Sequence, residues 1–242
     1  MRIVIANDYK EMSRMAADQI EQLVNADPEC VLGLATGSTP LGLYADLAAD
    51  FEAGKVSFKD VTSFNLDEYC GLDGSHDQSY RYFMNENLFS KVDIDRAATH
   101  VPTGKSDNLQ AECAKYDKAI ADAGGIDLQL LGLGHNGHIG FNEPSDVFPK
   151  GTHVVDLTES TINANSRLFD SIDEVPRKAI TMGIGTIMAA RSVLVVASGA
   201  DKADIVRQAF LGPVTPEVPA SILQFHPDAT VIVDAEAGSK LN

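Results

Sequence analysis

Seven short apolar runs punctuate the chain, at residues 2–5, 31–35, 61–66, 128–133, 179–182, 192–197 and 230–233. Several are apolar at nearly every position rather than at every second one. Such continuity marks strands buried on both faces, as in a parallel sheet sandwiched between helices. Between the runs the apolar period lengthens to that of a helix. Over 9–24, Met12, Met15, Ala16, Ile20, Leu23 and Val24 fall on one face, with Asp8 placed to cap the first turn. Residues 41–53, 79–89, 109–123 and 202–210 predict further helices.

Strand and helix therefore alternate, which predicts an α/β fold: a doubly wound, mainly parallel sheet with helices on both faces, Rossmann-like. On such sheets ligands bind beyond the carboxyl ends of the strands, so the residues just after each strand are the ones to inspect. The length, 242 residues, suits one domain spanning 1–242. One stretch, 146–175, breaks the alternation. It is polar with short element signals, and reads equally as a mobile lid or as a surface excursion.

Composition narrows the function. Hydrophobic residues make up 44% of the chain, enough for a packed core. The net charge is −16, which disfavours nucleic acid and anionic membranes as partners. The same field repels an anionic substrate, so a phosphate pocket must gather donors locally. The longest apolar runs fall well short of a membrane span, and Met1 leads directly into a strand-like run with no signal segment, so a cytoplasmic location is expected. Cys30, Cys70 and Cys113 are scattered and predict reduced thiols.

Three loops after predicted strands carry candidate chemistry. Ala35-Thr36-Gly37-Ser38-Thr39-Pro40 precedes a helix, where glycine permits close approach and hydroxyls and N–H groups bind anions. It lacks the lysine of a nucleotide P-loop, and an ordinary helix start fits it too. Phe64-Asn65-Leu66-Asp67-Glu68-Tyr69 places two carboxylates where a general base, or a helix cap, would sit. Gly132-Leu133-Gly134-His135-Asn136-Gly137-His138-Ile139-Gly140-Phe141-Asn142-Glu143-Pro144 contains a literal G-x-G-x-x-G. Gly140, Asn142 and Pro144 prevent the helix that a dinucleotide site requires after its third glycine. The spacing of His135, His138 and Glu143 matches no common zinc motif, so no metal is expected. A loop presenting a histidine and an orienting glutamate for acid–base work fits better. Arg167 and Lys202 are candidate phosphate clamps, though a single cation is usually surface charge.

Taken together, Ala35–Tyr44, Phe64–Leu72 and Gly134–Pro144, in this order and spacing, resemble the glucosamine-6-phosphate deaminase family; 164–167 and 198–202 agree. The resemblance implies isomerisation and deamination of glucosamine 6-phosphate to fructose 6-phosphate and ammonia, in amino-sugar catabolism, with no metal or organic cofactor. It implies Asp67 as the base between carbons 2 and 1, and His138 as the ring-opening group oriented by Glu143, with Asn136 beside them in the catalytic set. Gly37, Ser38, Thr39, Arg167 and Lys202 are implied as the phosphate-binding set. Two departures stand out. Many members carry Asp where this chain has Asn136. Members activated by N-acetylglucosamine 6-phosphate carry cations shortly after the Phe-Asn-Glu-Pro element, where this chain has Thr152-His153-Val154-Val155-Asp156. An unregulated monomer or low-order homo-oligomer is therefore expected. The rival readings are a 6-phosphogluconolactonase, a galactosamine-6-phosphate deaminase and a non-catalytic sugar-phosphate sensor.

Overall fold

The computed structural model describes residues 1–157, 159, 162, 169 and 171–241. Arg167, and with it part of the expected lid, lies outside the described residues.

Seven parallel strands form the central sheet: β1 (Arg2–Ala6), β2 (Val31–Leu34), β3 (Thr62–Asn65), β5 (Thr99–His100), β6 (Leu128–Leu131), β9 (Ser192–Ala197) and β10 (Ala229–Asp234). Their order across the sheet is β1-β10-β9-β6-β2-β3-β5. β2 and β6 are buried at every position, as their unbroken apolar character predicts. After β2 the chain builds outward through β3 to β5. It then returns to the other side of β2 as β6 and builds toward β9 and β10. The direction of winding thus reverses between β2 and β6, which opens a crevice at their carboxyl ends.

Helices α1 (Tyr9–Ala26), α2 (Leu41–Glu52), α3 (Tyr80–Met84), α4 (Leu109–Asp122), α5 (Ile184–Met188) and α6 (Ala203–Leu211) connect the strands. Asp8 caps α1 by accepting from the Glu11 N–H at 2.8 Å, and Glu11 reaches back to the Asn7 N–H. The predicted helix over 79–89 is α-helical only through Met84. It then widens into a π-helical turn over Asn85–Phe89. Lys202, predicted as the start of the last helix, instead ends a short 3-10 turn over Ala200–Lys202 that leads into α6.

A second, antiparallel sheet of order β4-β8-β7 stands beside the crevice: β4 (Asp67–Tyr69), β7 (His153–Asp156) and β8 (Lys178–Thr181). Leu66 is the joint. Its N–H bonds to Leu34 of the large sheet, and its carbonyl accepts from Met182, at the end of β8. The small sheet buries Tyr69, Phe141, Leu157, Ile162, Val175 and Ala179 against one another, separately from the main core. The stretch 146–175, which breaks the alternation, contributes one of these strands. Its first part carries the edge strand β7, and Asp117 holds Thr152 through the backbone N–H (2.9 Å) and the hydroxyl (2.6 Å). The sequence hides this strand because it is four residues long and half polar.

Candidate active site

The crevice between β2 and β6 holds a cavity of about 280 Å³. Its walls are the loop after β2 (Ala35–Thr39), Leu66 and Asp67 at the joint, Tyr80 of α3, the glycine-rich loop after β6, and Lys202. The three loops singled out in the sequence thus meet in one place.

The loop after β2 forms one wall, and its free donors suit an anion. Gly37 has φ +99°, a left-handed conformation that a side chain would strain. No side chain caps α2, whose preceding residue is Pro40. The backbone N–H groups of Gly37, Ser38 and Thr39 donate to no acceptor among the described residues. The Ser38 and Thr39 carbonyls are engaged elsewhere: the Leu41 N–H donates to Ser38 O (3.4 Å), and the Tyr9 hydroxyl donates toward Thr39 O (3.0 Å) and accepts from the Gly42 N–H (2.8 Å). Open donors before a helix make an anion cradle, rather than an ordinary capped start.

Lys202 faces this cradle. Its ammonium donates to Leu133 O (2.8 Å) and approaches His135 Nδ1 (3.2 Å), while His135 Nε2 contacts Asp201 at 2.6 Å. Burial holds Lys202 below the usual lysine range, against the pull of Asp201.

The glycine-rich loop is a chain of tight turns. Gly134 N–H donates to His138 O and Gly137 N–H to Gly134 O. The imidazole of His138 lies on the bare face of Gly134, where a Cβ would come within 2.3 Å of the ring. Gly137 (φ +84°) and Gly140 (φ +58°) take left-handed conformations. Asn142 closes the loop by donating to Ile139 O (2.8 Å) and Met182 O (2.9 Å). Asn142 therefore pins the loop to the small sheet, a role that its reading as a helix breaker missed.

His138 Nδ1 contacts Asn136 Oδ1 at 2.7 Å and Glu143 Oε1 at 3.2 Å. The Asn136 amide in turn donates to Glu143 Oε2. Both partners sit on Nδ1, which leaves Nε2 as the ring nitrogen free to exchange protons. Burial pushes the Glu143 carboxyl up, but the hydrogen bonds from His138 and Asn136 outweigh it and leave Glu143 below the ordinary range. His135 turns away toward Asp201 and Lys202. Among the described residues no three His, Cys, Asp or Glu side chains converge as metal ligands.

Asp67 and Glu68 do not act as the adjacent pair suggested by the sequence. Consecutive strand residues point to opposite faces, and β4 sends only Asp67 into the cavity. Asp67 is 6% exposed and accepts no hydrogen bond among the described residues. Burial, with a smaller contribution from Glu68, pushes its carboxyl up to about 8. Glu68 instead accepts, from within β4, the N–H groups of Tyr80 and Arg81 at the start of α3, whose own N-cap is Ser79, so neither carboxylate is the helix cap that the sequence allowed. Tyr80 was not legible as a site residue. Its ring lines the cavity, stacks on Phe141 and contacts the Tyr69 hydroxyl at 3.2 Å. Nothing local in the sequence distinguishes it from an ordinary core tyrosine.

This crevice, with an open anion cradle facing a buried carboxylate and a glycine-seated histidine, defines a sugar-phosphate enzyme of the α/β class. The chain belongs to the family described as glucosamine-6-phosphate isomerases/6-phosphogluconolactonase, whose model matches residues 7–232. Its relatives point to one branch. A glucosamine-6-phosphate deaminase of Clostridium perfringens (strain 13 / Type A) is 55% identical over the full length of both chains. One from Lachnoclostridium phytofermentans is 57% identical over 96% of this chain and 98% of its own. A solved structure described as a monomeric glucosamine-6-phosphate deaminase superposes with a TM-score of 0.95 at 43% identity, covering 99% of this chain and all of its own. A 6-phosphogluconolactonase from Trypanosoma cruzi, at 20% identity and a TM-score of 0.78 over 100% and 97% of the two chains, shares the fold alone.

Proposed function

We propose that this chain converts glucosamine 6-phosphate and water to fructose 6-phosphate and ammonia in amino-sugar catabolism. The observation that carries the mechanism is Asp67: a carboxylate with no hydrogen-bonding partner among the described residues, buried in the cavity wall and raised toward neutrality, with a seated histidine lining the same cavity.

The phosphate is held by the N–H groups and hydroxyls of Gly37, Ser38 and Thr39 and by the Lys202 ammonium. Arg167 belongs to this set by resemblance. Binding energy at that end positions the reacting carbons at the other. His138, oriented by Asn136 and Glu143, opens the ring by moving the proton of the anomeric hydroxyl to the ring oxygen. The aldehyde so formed acidifies the hydrogen on carbon 2. Asp67 takes that proton while the carbonyl oxygen gains one, which gives an enolamine. Asp67 returns its proton to carbon 1, leaving an iminium at carbon 2. Water adds there and ammonia departs. A carboxyl raised to about 8 suits a proton that must be both taken and returned near neutral pH.

The chain acts as a single domain in the cytoplasm and, like the solved relative described as monomeric, as a monomer; a one-chain sedimentation coefficient is expected. The reaction is tested by ammonia release from glucosamine 6-phosphate in metal-free buffer. The parent should release ammonia, and Asp67→Asn should be slower by about 10²–10⁴-fold. If the parent releases none from this substrate but turns over phosphogluconolactone or galactosamine 6-phosphate, the proposal fails.

A further inference from the structure

Glu68 is a buried carboxyl that the reaction as described does not use. It is 3% exposed and points away from the cavity, back-to-back with Asp67. Its Oε1 accepts from the N–H groups of Tyr69 (2.9 Å) and Tyr80 (2.9 Å), and its Oε2 from the Arg81 N–H (3.0 Å). Tyr80 and Arg81 open α3, so their N–H groups have no carbonyl partner within the helix. Glu68 supplies one from a different element.

The two neighbouring carboxyls therefore live in unequal surroundings. Burial raises both above the ordinary carboxyl range; three N–H donors and the charge of Arg81 oppose the rise at Glu68, whereas no such donor reaches Asp67 among the described residues. When two carboxyls share a site, the anion settles where the donors are and the proton settles on the other. Here the donors single out Glu68 as the resident anion and Asp67 as the group that exchanges a proton.

We infer that Glu68 is a positioning residue for the reaction: a seated carboxylate that ties β4 to α3, fixes Tyr80 in the cavity wall and keeps a negative charge behind Asp67. The inference rests on the reading of Asp67 as the base. The other titratable groups around the pair keep one charge state near neutral pH. Tyr80 from α3 and Tyr116 from α4 are pushed up by burial and stay neutral. Cys70, beyond β4, is raised to about 11 and stays a thiol. Arg81 remains a cation engaged with Thr99. His138 lines the same cavity, on the glycine-rich loop opposite β4.

The test is the pH profile of kcat/KM for the parent, Glu68→Gln and Glu68→Asp. Glutamine keeps an acceptor oxygen for two of the N–H groups but removes the charge. Aspartate keeps the charge on a shorter arm. The base must be deprotonated to work, so activity rises with pH through the titration of Asp67. In Glu68→Gln that rising limb should move to lower pH, because the neighbouring anion is gone. In Glu68→Asp the limb should stay in place while kcat falls several-fold as Tyr80 loosens. A Glu68→Gln limb that coincides with the parent's, or a Glu68→Asp limb that moves, overturns the inference. If Glu68→Gln does not fold, Glu68→Asp decides alone by the same two readouts. Parental ammonia release by Asp67→Asn would instead overturn the base assignment.

Discussion

Asn136 sits between the two groups that tune the catalytic loop. Its oxygen accepts from His138 and its amide donates to Glu143, so it neutrally bridges an imidazole and a carboxylate. An aspartate there would hold the imidazole equally well but would face Glu143 with like charge. Asn136→Asp should therefore favour the imidazolium and shift the acid limb of the pH–rate profile. Superimposable profiles would refute this. Asp67 allows a stability prediction as well. Its carboxyl is raised from an ordinary value near 4 to about 8 in the fold, so between those pH values the folded chain keeps a proton that the unfolded chain has lost. Stability contributed by the neutral form is full below about 4 and is lost as pH rises through about 8. Asp67→Asn, which mimics the neutral form, should flatten this decline and be more stable than the parent at pH 8 in urea titrations. An unchanged difference across the range would contradict the burial account. At this scale the charged and glycine-rich site residues were legible, because chemistry and spacing marked them. Tyr80 and Asn142 were not. Their roles depend on what the fold brings alongside them, the Phe141 ring for one and the end of β8 for the other.

At the scale of elements, the strands that form the floor of the site are packed with little tolerance. Gly33 in β2 pairs with Gln129 in β6, and a Cβ on Gly33 would lie 2.1 Å from the Gln129 side-chain oxygen. Gln129 is completely buried and cannot swing out. Gly33→Ala should thus cost about 1–3 kcal/mol in chemical denaturation. Combining it with Gln129→Ala should cost less than the sum of the two single changes, because the clash disappears. Additive losses would show that the strands shift apart instead. The long, continuously apolar strands were plain in the sequence. β4, β5 and β7 were not, being two to four residues long and rich in polar side chains. What makes them strands is pairing with distant partners, as with β7 against β8. Two of these three build the small sheet that aims Asp67 and shelters the glycine-rich loop.

For the whole molecule, a net charge of −16 surrounds a site that must admit a dianionic sugar phosphate. The donors proposed to hold the phosphate are gathered at contact distance in one loop and at Lys202, whereas the repulsion comes from carboxylates spread over the surface. Salt screens the second more than the first, since the screening length falls from about 30 Å at 0.01 M to about 8 Å at 0.15 M. KM for glucosamine 6-phosphate should accordingly fall over that range in a non-binding salt. A rise would mean that exposed cations spread over the surface, rather than the donors of the cradle, dominate capture. The topology explains how distant stretches of sequence form one pocket. The reversal of winding between β2 and β6 brings residues 35–39 and 132–143 face to face, and the joint at Leu66 turns Asp67 in between them.

The central claim is that Asp67 moves the proton between carbon and carbon while His138 only opens the ring. The direct measurement is the reaction in heavy water, following deuterium at carbon 1 of the ketose product by NMR, with Asp67→Asn beside the parent. The account predicts that Asp67, whose carboxyl proton exchanges with solvent while the enolamine lasts, delivers deuterium to carbon 1 with the parent and almost none with Asp67→Asn. Deuterium at carbon 1 at the parental rate in the variant would contradict it.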